Sequence, residues 1–199
     1  MSRNDYYEQL KSLARLKRIE FGVRTQSFGL RELRQIYKFE RIRIDTRPFG
    51  RKLKALYMCD GGDCSVGIQQ GLPVEPKLFA LVHELKHHYV DREALGQGVL
   101  PCCDYNQNEL IEKGAEVFAA EFIYPEQEFK DDAAKLSIST WTAEDIVRFK
   151  RSTTAKTSYQ FLCKRLTRLG FIRQDEFKKT AFKKLEEEMY GVPFRRSRS

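Results

Sequence analysis

Residues 77–91 read KLFALVHELKHHYVD, and residues 109–123 read ELIEKGAEVFAAEFI. Both stretches carry apolar residues at helical spacing without an internal proline, and Pro125 stops the second. The first, predicted as a helix over about 76–91, contains His83-Glu84-Leu85-Lys86-His87, an H-E-x-x-H pattern. Four residues of α-helix turn about 400°, so His83 and His87 project from one face about 6 Å apart along the axis. Two imidazoles so placed can share one divalent ion, and Glu84, one step round the helix, can reach the attacking water as general base. Leu78, Phe79, Leu81 and Val82 give the same helix an apolar back.

A catalytic site of this kind needs a third protein ligand and leaves the fourth position to water. A third histidine one turn further along is excluded, because the chain has Val90 and Glu93 where that arrangement needs Gly and His. A carboxylate on the following helix satisfies the pattern. Glu112 lies 25 residues after His87, and Glu116 is one turn further on the same face, placed to accept a hydrogen bond from the free ring nitrogen of a histidine. Glu109 shares that face and is a rival on position alone; Glu121 lies round the helix and reads as solvated. His88 is rotated about 100° from His87 and reads as a surface residue, and Lys86 is expected to point to solvent. Tyr89 and Tyr124 are close enough in sequence to polarise a peptide carbonyl, although buried structural tyrosines are the commoner case.

Outward from this pair, the chain reads as α+β. Residues 5–22 have Tyr6, Leu10, Leu13, Leu16, Ile19 and Phe21 near helical spacing, and Ser27 is placed to cap a helix over 29–40. RIRID (41–45) alternates as a strand, and KALYM (54–58) and SVGIQ (65–69) flank the CDGGDC turn as a hairpin, which predicts a small antiparallel sheet. A short helix is expected after Pro125, two helices over 142–169 with a break at Ser152–Thr153, and an amphipathic tail helix over 174–190 before a basic end.

With 41% apolar and 32% charged residues the 199-residue chain fits a water-soluble fold, and no apolar run approaches the ~18 residues that span a bilayer. The charged, amphipathic first residues lack the apolar stretch of a signal peptide, so a cytoplasmic location is expected. The five cysteines are then expected as thiols, against a second zinc site built from Cys59, Cys64, Cys102 and Cys103. The net charge of +8 is unevenly spread: residues 1–54 have 15 Lys/Arg against 6 Asp/Glu, residues 55–140 have 6 against 15, and residues 141–199 have 15 against 7. An acidic middle suits a cation, and the basic ends suit an anionic partner.

The HELKHH helix followed by IEKGAEVFAAEFIYP resembles the ImmA/IrrE family of metallo-endopeptidases, whose second helix follows E-x-x-A-[ND]-x-F-A-x-x-[LF]-x-x-P. Here that pattern falls on Glu112, Ala115, Glu116, Phe118, Ala119, Phe122 and Pro125. The chain departs from the family at Lys86, where Gly is usual, and at Glu116, where Asn or Asp is usual. The resemblance implies a mainly helical zincin-like domain over 1–140, with His83, His87 and Glu112 as ligands and Glu84 as catalytic base. It also implies a basic helix-turn-helix-like unit over 141–199, with Thr154 as N-cap and Lys156, Lys164, Arg165 and Arg168 facing phosphates or a protein. The implied cofactor is Zn2+, with Mn2+ or Fe2+ accepted by the same donors. The implied substrate is a DNA-binding repressor whose cleavage derepresses stress or mobile-element genes. The alternative reading is a DNA- or protein-binding regulator with a structural metal site.

Overall fold

The computed structural model describes residues 2–50, 53–92 and 109–191. Cys102 and Cys103, and the basic end after residue 191, lie outside them. The chain divides into two compact units, Met1–Pro125 and Glu126–Ser199. No helix among the described residues is long and apolar enough to cross a membrane.

In the first unit the order is α1 (Arg3–Glu20), α2 (Leu30–Phe39), β1 (Ile42–Arg47), β2 (Ala55–Asp60), β3 (Asp63–Gln69), α3 (Val74–Lys86) and α4 (Glu109–Ile123). The strands form one sheet in the order β1-β3-β2. The β2–β3 hairpin is antiparallel as expected, but β1 pairs with β3 in parallel, so the sheet is mixed rather than antiparallel. The chain leaving β1 must therefore cross β3 to reach the far edge. Phe49 lies over Gly67 of β3 in this crossing, where a Cβ would meet its ring at 2.7 Å. The hairpin register sets Cys59 directly opposite Cys64, and the two are joined as a disulfide, not held as the thiols expected. Cys163 keeps a free thiol.

Helix α3 starts after Pro73, with Pro76 in its first turn, where a missing N–H breaks no helical bond. It is sandwiched between the sheet and α4, so that nearly every side chain from Leu78 to Lys86 is buried and the helix is apolar on more than one face. Tyr37 of α2 donates to the Leu81 carbonyl at 2.6 Å. Burial, with the charge of Glu84 adding to it, holds that hydroxyl well above the usual phenol range and so keeps it a donor.

Helix α1 packs on α4, but not through the expected stripe. Leu16 and Ile19 are 63% and 78% exposed, while Leu10, Lys11, Ala14 and Arg18 are buried. The rotation has two causes. Tyr6 and Leu10 close on Gly114 of α4, where a Cβ would lie 2.8 Å from both. Arg15 and Arg18 then reach the acidic, C-terminal end of α4, pairing with Glu121 at 3.0 Å and with the Phe122 carbonyl at 2.5 Å. The N-cap of helix α2 is Gly29, not Ser27.

The second unit holds α5 (Glu126–Ala134), α6 (Ala143–Ser152), α7 (Tyr159–Arg168) and α8 (Phe182–Tyr190). Phe149 is its centre, with the Phe129 and Trp141 rings edge-on at 5.1 and 5.4 Å. A Thr142–Asp145 capping box starts α6, and Ser158, not Thr154, caps α7. The tail helix is shorter than expected, with residues 174–179 in turns.

Candidate metal centre

Three donors converge where α3 meets α4. His83 Nε2 lies 3.3 Å from Glu112 Oε2, and His87 Nε2 lies 3.7 Å from Glu112 Oε1. The two imidazole rings are 5.1 Å apart between centroids. One ligand atom from each of the three residues falls within 4.8 Å of the others. Two ligands held at about 2.0–2.1 Å by a tetrahedral ion stand roughly 3.3 Å apart, so the spacing fits a single small cation. All three side chains are buried.

Charge points the same way. Among the described residues Glu84, Asp91 and Glu112 are buried carboxylates, and the buried Lys86 ammonium pairs with Asp91. Carboxylates gathered in the interior in this way suit a bound cation.

Beyond Lys86 the helix widens into a single π-helical turn, His87–Asp91. Residues five apart on an α-helix point about 140° away from each other; a π turn brings such a pair into line. Lys86 and Asp91 are five apart, and their side chains meet at 2.7 Å. The same Asp91 oxygen lies 2.6 Å from His87 Nδ1. Burial works to raise the Asp91 pKa, but the His87 hydrogen bond and the charge and hydrogen bond of Lys86 hold it below the usual carboxylate range. An ionised Asp91 only accepts, so His87 Nδ1 donates to it, and Nε2 is the ring nitrogen turned toward Glu112.

Glu84 is 1% exposed. Its Oε2 is buried without a hydrogen-bond partner among the described residues. A carboxylate oxygen is stable there only if something beyond the described residues meets it.

The family model of the IrrE N-terminal-like domain, a peptidase family, matches residues 40–167. The chain belongs to the ImmA/IrrE family of metallopeptidases. No curated protein matches it. Helices α1 and α2 precede the family match, yet α1 packs along the Glu112 helix.

Several expectations around the site need correction. Lys86 does not reach solvent: it has no exposed surface, and its ammonium also donates to the Ile111 carbonyl at 3.2 Å. His88 is buried as well, with Nδ1 3.0 Å from the Tyr57 hydroxyl. Glu121 is buried in its pair with Arg15 rather than solvated. The Tyr89 hydroxyl donates to Glu40 at 2.9 Å. Tyr124 is fully buried. Glu109 is exposed and pairs with Lys113, whereas Glu112 is the carboxylate of this face that converges with His83 and His87. Glu116 is half-buried one turn beyond Glu112. Asp91 was missed, although its place four residues after His87 is the spacing that brings helical side chains together.

In the second unit Lys164 and Arg168 are exposed on α7, and Lys156 is exposed in the loop before it. Arg165 is buried, with its guanidinium 5.9 Å from the centre of the Phe129 ring, so it does not face phosphates. Helical period explains the split: Leu162, Arg165 and Leu166 share the inner face.

Proposed function

We propose that this metallopeptidase is a zinc-dependent endopeptidase of the gluzincin type that cleaves a DNA-binding repressor in the cytoplasm. The observation that carries the reading is the convergence of His83, His87 and Glu112, with the next residue after His83, Glu84, holding a buried oxygen that has no partner among the described residues. These three ligands suit Zn2+, and also Mn2+ or Fe2+. When bound, the ion supplies Lewis-acid polarisation of the peptide carbonyl and a lowered pKa for the attacking water.

The chain's own groups do the rest. Glu84 Oε2 takes the proton of the attacking water and returns it to the leaving amine. Asp91 holds the His87 ring in the tautomer that presents Nε2. Glu116, half-buried on the Glu112 face of α4, would orient one of the two histidines. Two histidines and a carboxylate on an H-E-x-x-H helix are the ligand set of catalytic sites, which favours the catalytic reading over the alternative of a regulator with a structural metal.

The exposed Lys156, Lys164 and Arg168 would engage the repressor or its DNA. A repressor encoded beside this chain is the natural probe. Wild type should cut it at one bond. Glu84→Gln should keep its metal and lose at least about 100-fold in rate. Equal cleavage by the variant would remove Glu84 as the base; salt-sensitive duplex binding with no cleavage at all would favour the binding-module alternative.

A further inference from the structure

Burying an ammonium is unfavourable unless its protons find partners, and an apolar side chain of the same length would fill the space without that penalty. Lys86 is nevertheless completely buried. Its partners are specific. Nζ lies 2.7 Å from Asp91 Oδ2 and 3.2 Å from the Ile111 carbonyl, and the Tyr6 ring of α1 covers it at 5.8 Å. Asp91 Oδ2 is the same oxygen that His87 Nδ1 approaches at 2.6 Å. Ile111 is the residue immediately before Glu112. A single ammonium thus touches, through one intermediary each, a ligand on either helix.

We infer that Lys86 is a positioning residue of the metal site. By holding Asp91 against His87 and fastening that turn to the α4 backbone beside Glu112, it sets ligands from both helices before the ion arrives. Without Lys86, Asp91 can leave His87 by rotating about its side-chain bonds, and α4 loses its one polar tie to Lys86. The inference rests on the metallopeptidase reading and adds a residue to it.

A pair that served only the fold would alter stability and leave metal affinity alone. The test therefore uses the full chain and reads both. Zn2+ affinity is measured by chelator competition, the Co2+-loaded protein by its visible absorption, and the metal-free protein by thermal melting, for wild type, Lys86→Met, Asp91→Asn and the double variant. Removing an outer partner of a ligand weakens metal binding by about 10–100-fold. Lys86→Met and Asp91→Asn should each fall in that range and shift the Co2+ bands. The double variant should lose clearly less than the product of the two single losses, because Lys86 acts largely through Asp91. Lys86→Gln, which keeps an N–H donor, should recover part of the loss and also serves if Lys86→Met does not fold.

Wild-type affinity and unchanged Co2+ bands in Lys86→Met, with only the melting temperature moved, would overturn the inference and leave the metallopeptidase reading intact. Fully multiplicative losses would overturn the route through Asp91. A wild-type chain that takes up no metal would overturn both readings together.

Discussion

In the first unit, Glu84, Lys86, Asp91 and Glu112 are all withdrawn from water around one point where two helices meet. In the second unit, Lys156, Lys164 and Arg168 stand in water, and Arg165 alone of that set is buried. The contrast separates two meanings of charge. A buried ion is tolerated only with a partner or a bound counter-ion, so a buried cluster rich in carboxylates suits a bound cation. An exposed cation is compatible with almost any sequence at that position, and its role is set by what comes to it. The acidic middle of the chain therefore determines chemistry in a way the basic end does not.

The largest test of that contrast removes the ligand on α4. Elemental analysis should find about one zinc per wild-type chain and essentially none in Glu112→Ala. Metal binding is also stability: at a free-ion level 1,000-fold above Kd it adds about 4 kcal/mol. Chelation should therefore lower the wild-type melting temperature and leave Glu112→Ala unmoved. If chelator shifted both equally, the ion would not be held at this site.

Effects of about 1–3 kcal/mol are expected next, one in each unit. Gly114→Val would drive methyl groups into Tyr6 and Leu10 and separate α1 from α4. Arg165→Ala would strip a buried side chain from beside Phe129. Denaturant midpoints measure both, and a neutral Arg165→Ala would return that residue to the surface set.

The convergence of the candidate ligands was legible because each lies on a helix that the sequence marks out. His83 and His87 sit four apart on one helix, and Glu112 is fixed by a second helix with its own proline stop. The hairpin, the α6–α7 break and the helix after Pro125 were likewise readable from local sequence. What escaped depends on groups distant in sequence. The exposure of Leu16 and Ile19 is decided by Gly114 and by arginines reaching α4. The parallel β1–β3 pairing depends on a crossing past Gly67. Lys86 and His88 read as surface residues because their partners cannot be seen from the helix alone: Asp91, α4 and α1 enclose Lys86, and Tyr57 of β2 meets His88.

His88 gives a smaller, pH-dependent test. Burial pulls its pKa below the usual imidazole value against the opposing charge of Glu40. A histidine that stays neutral when folded but takes a proton near pH 6.5 when unfolded stabilises the fold fully above that pH and less as the pH falls through it. The slope is at most about 1.4 kcal/mol per pH unit for one group. Working in a Glu112→Ala background keeps metal release out of the measurement. There, the stability of His88→Gln should vary less between about pH 7.5 and 5.5 than that of its parent. Parallel curves would mean that His88 is protonated alike in both states.

The smallest effect is expected from the exposed cations, and it is the one that decides what they are for. Lys164→Ala and Arg168→Ala should each leave stability within about 0.5 kcal/mol of wild type, because neither side chain fills the interior. Nor should they alter metal affinity. Any change must then appear only when a partner is present. If both weaken repressor cleavage at low salt and the difference fades as salt is raised, the second unit selects its target by charge. If cleavage and duplex binding are unaffected at every salt concentration, these charges serve solubility, and partner selection lies in the unit that holds the metal.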